Sequence, residues 1–218
     1  MATAVVIPFA GDDPHRTRAL DWVLDRYATR FPEWEVVVGR GDTAAWCKAD
    51  AVRDGIARTS ADVVVVADGD VWCDGVAAAV AKCKSWAVPH LKVHRLDPAA
   101  SDQMLATGIP GAGRDERPYR GHLGGGIVVL RRSVWDACPL DPRFVGWGQE
   151  DDSWACALSA LYGAPWRGDA DLFHLWHPPQ DRLSRTVGSA EGAALFRRYR
   201  LARHKPEMMR RIVAEIAG

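Results

Sequence analysis

Three short β-branched runs, "TAVVIPF", "EWEVVV" and "DVVVVA", recur through residues 3–67 with helix-like stretches between them. The first intervening stretch, "HRTRALDWVLDRYATRF", places Leu20, Val23, Leu24, Tyr27 and Phe31 at helical spacing. The second, "TAAWCKADAVRDGIART", reads as another helix. "GVAAAVAKCK" and "WAVPHLKVH" continue the alternation as a third helix and a fourth strand. Strand, helix, strand in succession leaves few solutions. The chain is expected to form an α/β fold: a mostly parallel central sheet, Rossmann-like, with helices on both faces.

The second half is less regular. Residues 97–123 are rich in Gly, Pro and charge with no clean period, which predicts a long loop, either a lid or binding loop or a disordered segment. After it, "GGGIVVLRR" reads as a strand, "SVWDAC" as a helical turn, "EDDSWACALSALYG" as a helix and "ADLFHLWH" as a strand. Two helical stretches broken before Pro206 close the chain. No linker divides it, and 218 residues suffice for one core without disulfides or a structural metal. The five cysteines form no CxxC pair, which argues for reduced thiols and against a cysteine zinc site. Net charge is zero, so no global field favours nucleic acid or membrane, and no apolar run approaches the length of a membrane span. One local exception is "LFRRYRLARHKPEMMRR", with seven Lys/Arg against one Glu. It reads either as a solvated helix face or as a phosphate-tracking patch for a nucleic-acid acceptor.

Ligands of open α/β sheets sit beyond the carboxyl ends of the strands. "VVVVADGD" delivers Asp68 and Asp70 to that edge, with Gly69 permitting close approach of the backbone. This is either a polar turn or a pair suited to a hard divalent cation shared with phosphates. "FHLWHPP" adds His174 and His177 as candidate metal ligands. Residues three apart in a strand point to opposite faces, so only one of the two is expected to join a given metal. In "FVGWGQEDDSW", Glu150, Asp151 and Asp152 fall in the first turn of a helix, whose positive end offsets part of their repulsion. They read either as a capping cluster or as an acceptor site, where Trp147 offers an apolar face and a carboxylate takes a proton. Ten tryptophans are many for this length, and indole faces suit sugar rings.

In this order, the motifs resemble the GT-A glycosyltransferases that use nucleotide-sugar donors, above all the beta-galactosyltransferases and the polypeptide N-acetylgalactosaminyltransferase catalytic domains. "VVIPF" is similar to their first strand, "VADGD" to their DxD motif, and "GGGIVVLRR" with "FVGWGQEDDSW" to their glycine pair and WGxED signature. The resemblance spans most of residues 4–181 and implies a metal-dependent hexosyltransferase taking a UDP-sugar to a hydroxyl on a glycan, a protein or a hydroxylated DNA base. It implies Pro8, Phe9, Arg16, Trp46, Lys48, Asp68 and Gly69 at the nucleotide. It also implies Mn²⁺ or Mg²⁺ on Asp70 and His177, with His174 the weaker match. Gly125, Trp147, Glu150 and Asp152 would meet the sugars, and Asp151, with Glu150, would be catalytic. Residues 1–95 would bind the donor and 96–188 the acceptor, with 189–218 a C-terminal helical extension.

The sequence departs from the family at three points. Ala10 stands where the galactosyltransferases carry an arginine, leaving Arg16 or Arg18 to substitute. Asp54 replaces an asparagine. The stem and membrane anchor of the Golgi members have no counterpart, which suits a cytoplasmic enzyme of bacterial or phage origin. A sugar-nucleotidyltransferase is the alternative enzyme, but "PFAGDDPHR" lacks its glycine-rich basic loop. A non-catalytic binding protein of the same fold is the other alternative, and the intact set of site residues argues against it.

Overall fold

The computed structural model describes residues 1–11, 13–41, 45–179 and 189–216. In chain order the elements are β1 (Thr3–Pro8), α1 (Pro14–Arg30), β2 (Glu35–Gly39), α2 (Lys48–Ala57), β3 (Val63–Ala67), β4 (Val71–Trp72), α3 (Val76–Lys82) and β5 (Trp86–Arg95). There follow α4 (Pro98–Thr107), β6 (Tyr119–Arg120), β7 (Ile127–Arg131), α5 (Arg132–Ala137), α6 (Glu150–Tyr162), β8 (Trp166–His174), α7 (Ala190–Ala202) and α8 (Pro206–Ala214). Among these residues no helix is long and apolar enough to cross a membrane.

The eight strands form one sheet in the order β2-β1-β3-β7-β5-β8-β4, with β6 added to β5. β1 is parallel to β2 and β3, and β5 is parallel to β8. β7 lies reversed between β3 and β5, while β4 and β6 run against β8 and β5. The sheet is therefore mixed: β1, β2, β3, β5 and β8 share one direction, and β7 interrupts them. Alternation along each strand feeds two cores. Val5, Ile7, Val65 and Val129 face a layer holding Leu20, Val23 and Tyr27 of α1 and Met104 of α4. Val6, Val64, Val66 and Leu130 face a second layer of α2, α5, α6, α7 and α8, including Ile56, Trp154 and Tyr199.

Several boundaries differ from those the sequence implies. The segment 97–123 is not a single loop, because residues 98–107 form α4. Asp97 caps it, accepting from Ala100 N (2.8 Å), Pro98 occupies the first turn, and Gly108 ends it at φ +74°. α2 starts at Lys48, not upstream at Ala45–Cys47, while Thr43 and Ala44 lie outside the described residues. So do Gln180 and Asp181, at the end of the stretch that carries the resemblance, and the expected boundary at 188.

One close approach fixes α2. A Cβ on Gly39 would lie 1.9 Å from Ala51 O, and one on Gly55 would lie 2.5 Å from Val6 Cγ1. The missing side chains let the helix sit against β1 and β2 nearly backbone to backbone. A Cβ on nearby Gly41 would meet nothing closer than 3.6 Å. Gly39→Ala is therefore expected to lower stability by about 3 kcal/mol through overpacking, while Gly41→Ala changes it little. Urea unfolding of both variants checks this, and equal effects would contradict the packing argument.

Candidate active site

All fifteen site residues expected from the sequence line one cleft of about 580 Å³ at the carboxyl edge of β1 and β3. Pro8 and Phe9 end β1, with Phe9 held by its N–H to Gly39 O (3.0 Å). Arg16 sits in the first turn of α1, where Asp13 caps the helix by accepting from His15 N and Arg16 N. Arg18 instead pairs with Asp102 at the surface, so Arg16 is the arginine that reaches the cleft. Asp54 also has surface partners, Arg40 N (2.8 Å) and Arg58 (2.7 Å).

The opening Asp68-Gly69-Asp70 turn follows β3 and is pinned to the glycine run before β7. Asp68 N donates to Gly126 O (2.9 Å), and Gly126 N donates back to Asp68 Oδ2 (3.2 Å). Gly126 has φ +75°, and a Cβ on Gly124 would collide with Asp151 O at 1.9 Å. The glycines thus bring the end of β3 and the start of α6 together. Gly146 and Gly148 have φ of +85° and +104°, and even Gln149 takes φ +75°. This left-handed path turns Trp147 back onto Trp46, with ring centroids 5.9 Å apart and planes 25° from parallel. Gly146 N donates to Trp46 O (2.7 Å) and fastens the two loops.

The three carboxylates of α6 have a buried counter-charge. Lys48 Nζ lies 2.7 Å from Asp68 Oδ1 and 2.8 Å from Asp151 Oδ1, with only 8% of its side chain exposed. Burial alone would lower the lysine's pKa, but Asp151, Asp68 and Glu150 outweigh it and hold the ammonium charged. Burial pushes the Asp151 carboxyl up to about 8, with Lys48 opposing and Glu150 and Asp68 reinforcing. Glu150 is also raised by burial, and its Oε2 has no hydrogen-bond partner among the described residues. Asp152 turns outward to His122 (3.0 Å).

Asp70, His174 and His177 form the second cluster, their candidate donor atoms all within 4.8 Å of one another. Both histidines join it, against the expectation that only one would. β8 ends at His174, so the strand alternation that would have separated them no longer applies at His177. His174 Nδ1 lies 2.8 Å from Leu175 O, and His177 Nδ1 lies 2.7 Å from Pro178 O. Each contact assigns the ring proton to Nδ1 and turns the Nε2 lone pair toward Asp70, at 3.8 and 3.2 Å. Burial lowers the His174 pKa to about 4, with Asp70 opposing, so the ring stays neutral. Burial would raise Asp70, but its positive surroundings, Arg16 among them, hold it well below the usual carboxylate range. Two imidazole nitrogens and a carboxylate, already oriented by carbonyls behind them, fit a divalent cation.

Among the cleft residues that the sequence reading missed are His90, Arg95, Tyr119 and His122. His90, inside β5, is fully buried and has its pKa lowered to about 4 by burial, with Arg167 adding to it. A histidine directly after the apolar run Trp86–Pro89 was its only signal. The basic segment 195–211 lies elsewhere, since no described residue after His177 lines the cleft. Arg198 pairs with Glu215 and Arg210 with Glu207.

No family model and no curated protein matches this sequence. Solved structures do match. Glucosyl-3-phosphoglycerate synthase from Mycobacterium tuberculosis, in complex with Mn²⁺, UDP and phosphoglyceric acid, aligns over 94% of this chain and 78% of its own. The TM-score is 0.52 at 14% identity. GalNAc-T7 with UDP, GalNAc and Mn²⁺ aligns over 99% of this chain at TM-score 0.52 and 14% identity, and the chain spans 55% of its length. The chain has the GT-A fold.

Removing the cation between the carboxylates tests the electrostatics. Lys48→Met is expected to cost about 3 kcal/mol of stability, the scale for breaking a buried pair. Glu150 and Asp151 have raised pKa values, so the folded state holds their protons more tightly than the unfolded state. The contribution of Asp151 to stability falls as pH rises from about 4 to 8, Glu150 acts in the same direction, and the loss is greater without Lys48. The deficit of Lys48→Met in urea unfolding should therefore be larger at pH 8 than at pH 5. A deficit independent of pH would contradict this account.

Proposed function

We propose that the protein is a Leloir-type glycosyltransferase that moves a hexosyl unit from a UDP-sugar to a hydroxyl group. The observation that carries the reading is the convergence of Asp70, His174 and His177 beside the Lys48–Asp68–Asp151 cluster, in one cleft of a GT-A sheet. The two solved structures named above hold UDP and Mn²⁺, which supports the same chemistry here.

Asp70, His177 and His174 would hold the divalent ion, and their nitrogen-rich set suits Mn²⁺ better than Mg²⁺, which favours oxygen ligands. A cation there supplies Lewis-acid charge to the departing nucleoside diphosphate. Pro8, Phe9 and Trp46 form the apolar wall for the base, while Asp68 and Gly69 meet the ribose. Arg16 faces the diphosphate. Lys48 balances the carboxylates on both sides of the cleft and keeps them from repelling the donor. Gly125 leaves room for the donor sugar, and Trp147 offers its ring face to a sugar plane. Glu150, with an unpartnered buried oxygen, accepts from a sugar hydroxyl, and Asp152 marks the acceptor side. Asp151 is the candidate base. Its raised pKa brings it close to the pH at which it would take the acceptor's proton as an inverting enzyme works. In a retaining reaction the same carboxylate positions the acceptor.

UDP release from UDP-glucose, UDP-galactose and their N-acetyl derivatives, followed with Mn²⁺ and no acceptor, tests the reading. One donor should be hydrolysed slowly, the rate should vanish with EDTA, and Asp70→Ala should lower it at least about 100-fold with the thermal midpoint retained. A fully folded wild-type protein that turns over none of these donors would argue against a UDP-sugar transferase.

A further inference from the structure

The cation cluster already contains a cation. Arg16 Nη1 lies 3.9 Å from Asp70 Oδ2, and Arg16 Nη2 lies 3.3 Å from His177 Nε2 and 3.1 Å from Nδ1. Since Nδ1 carries the proton given to Pro178 O, Nε2 is the ring atom that accepts from the guanidinium. This is the same lone pair that a metal would need. The Arg16 side chain is 12% exposed, and its Cζ stands 4.7 Å from the centroid of the Trp147 ring. Its Nε is buried with no hydrogen-bond partner among the described residues, so the fork is only partly satisfied where it rests.

We infer that Arg16 is an exchangeable counter-ion for the metal site. It neutralises Asp70 and covers His177 when no metal is bound, and it moves to the nucleoside diphosphate when metal and nucleotide enter together. The inference rests on the metal site proposed above. A metal held by Asp70 and His177 cannot coexist with a guanidinium that uses the His177 Nε2 lone pair and faces the same carboxylate. Metal binding alone must therefore displace the arginine and leave a buried positive charge beside a divalent cation. A diphosphate removes that cost, because its oxygens match the guanidinium fork. The indole of Trp147 provides a fixed face on which Arg16 can swing without leaving the cleft.

Arg95 does not serve the same purpose. It reaches only His174 (3.3 Å), and Glu116 (3.1 Å) and Tyr119 (3.2 Å) hold it. Lys48 is likewise committed to Asp68 and Asp151. The consequence is thermodynamic coupling: nucleotide strengthens metal binding, and by reciprocity metal strengthens nucleotide binding by the same factor.

Calorimetric titration of Mn²⁺ into the wild-type protein, Arg16→Met and Arg16→Gln, without nucleotide and with saturating UDP, tests the inference. Both variants are expected to bind Mn²⁺ alone about tenfold more tightly than wild type, and to bind UDP more weakly at saturating Mn²⁺. A residue with a merely structural role would not raise metal affinity when removed. Two neutral substitutions keep the test intact if one variant unfolds, which circular dichroism would report. Mn²⁺ affinity equal to or weaker than wild type in a folded variant overturns the counter-ion role while leaving the metal site standing. No Mn²⁺ binding by any form, with or without UDP, overturns the metal site and the counter-ion together.

Discussion

A single buried ammonium holds the cleft together. Lys48 lies between Asp68, at the end of β3, and Asp151, in the first turn of α6, at 2.7 and 2.8 Å. Three carboxylates at the start of one helix would repel one another and the end of β3 if that cation were absent. Its position depends in turn on α2 docking closely on β1 and β2, which Gly39 and Gly55 permit. A packing contact on one face of the sheet is thus linked to the electrostatics of the cleft edge. This also accounts for the GWGQEDD sequence: its two glycines steer the chain so that Asp151 faces a lysine from another part of the sequence.

The two basic residues inside the cleft have different degrees of commitment. Lys48 has two carboxylate partners at hydrogen-bond distance and sits deep. Arg16 touches Asp70 at 3.9 Å, shares a histidine lone pair, and leaves its Nε unpartnered. One is a fixed part of the architecture, and the other is held loosely enough to be exchanged. The stacked pair Trp46–Trp147 connects them, since Trp46 precedes α2 and Trp147 lies under the Arg16 guanidinium.

Much of this was legible in the sequence because strand alternation and helix spacing are local signals. β1, β2, β3 and β5 follow from short β-branched runs, and the strand-end position of Asp68 and Asp70 follows from where "VVVVA" stops. What was not legible depends on distant partners. The direction of β7 is set by its pairing with β3 and β5, which no local pattern encodes. α4 escaped because its apolar residues are few, although the Asp97-Pro98 cap was readable. His177 joins His174 only because β8 ends between them. That Lys48 serves Asp151, 103 residues away, needed the fold.

The proposed activity requires one cleft to hold a metal on Asp70, His174 and His177 next to a uridine diphosphate. Crystals grown with Mn²⁺ and UDP and measured at the manganese absorption edge put this to the test. One anomalous peak is expected within bonding distance of all three side chains, with the diphosphate beside it and Arg16 turned away from His177. A peak at another set of residues, or UDP bound with no manganese in the cleft, would contradict it.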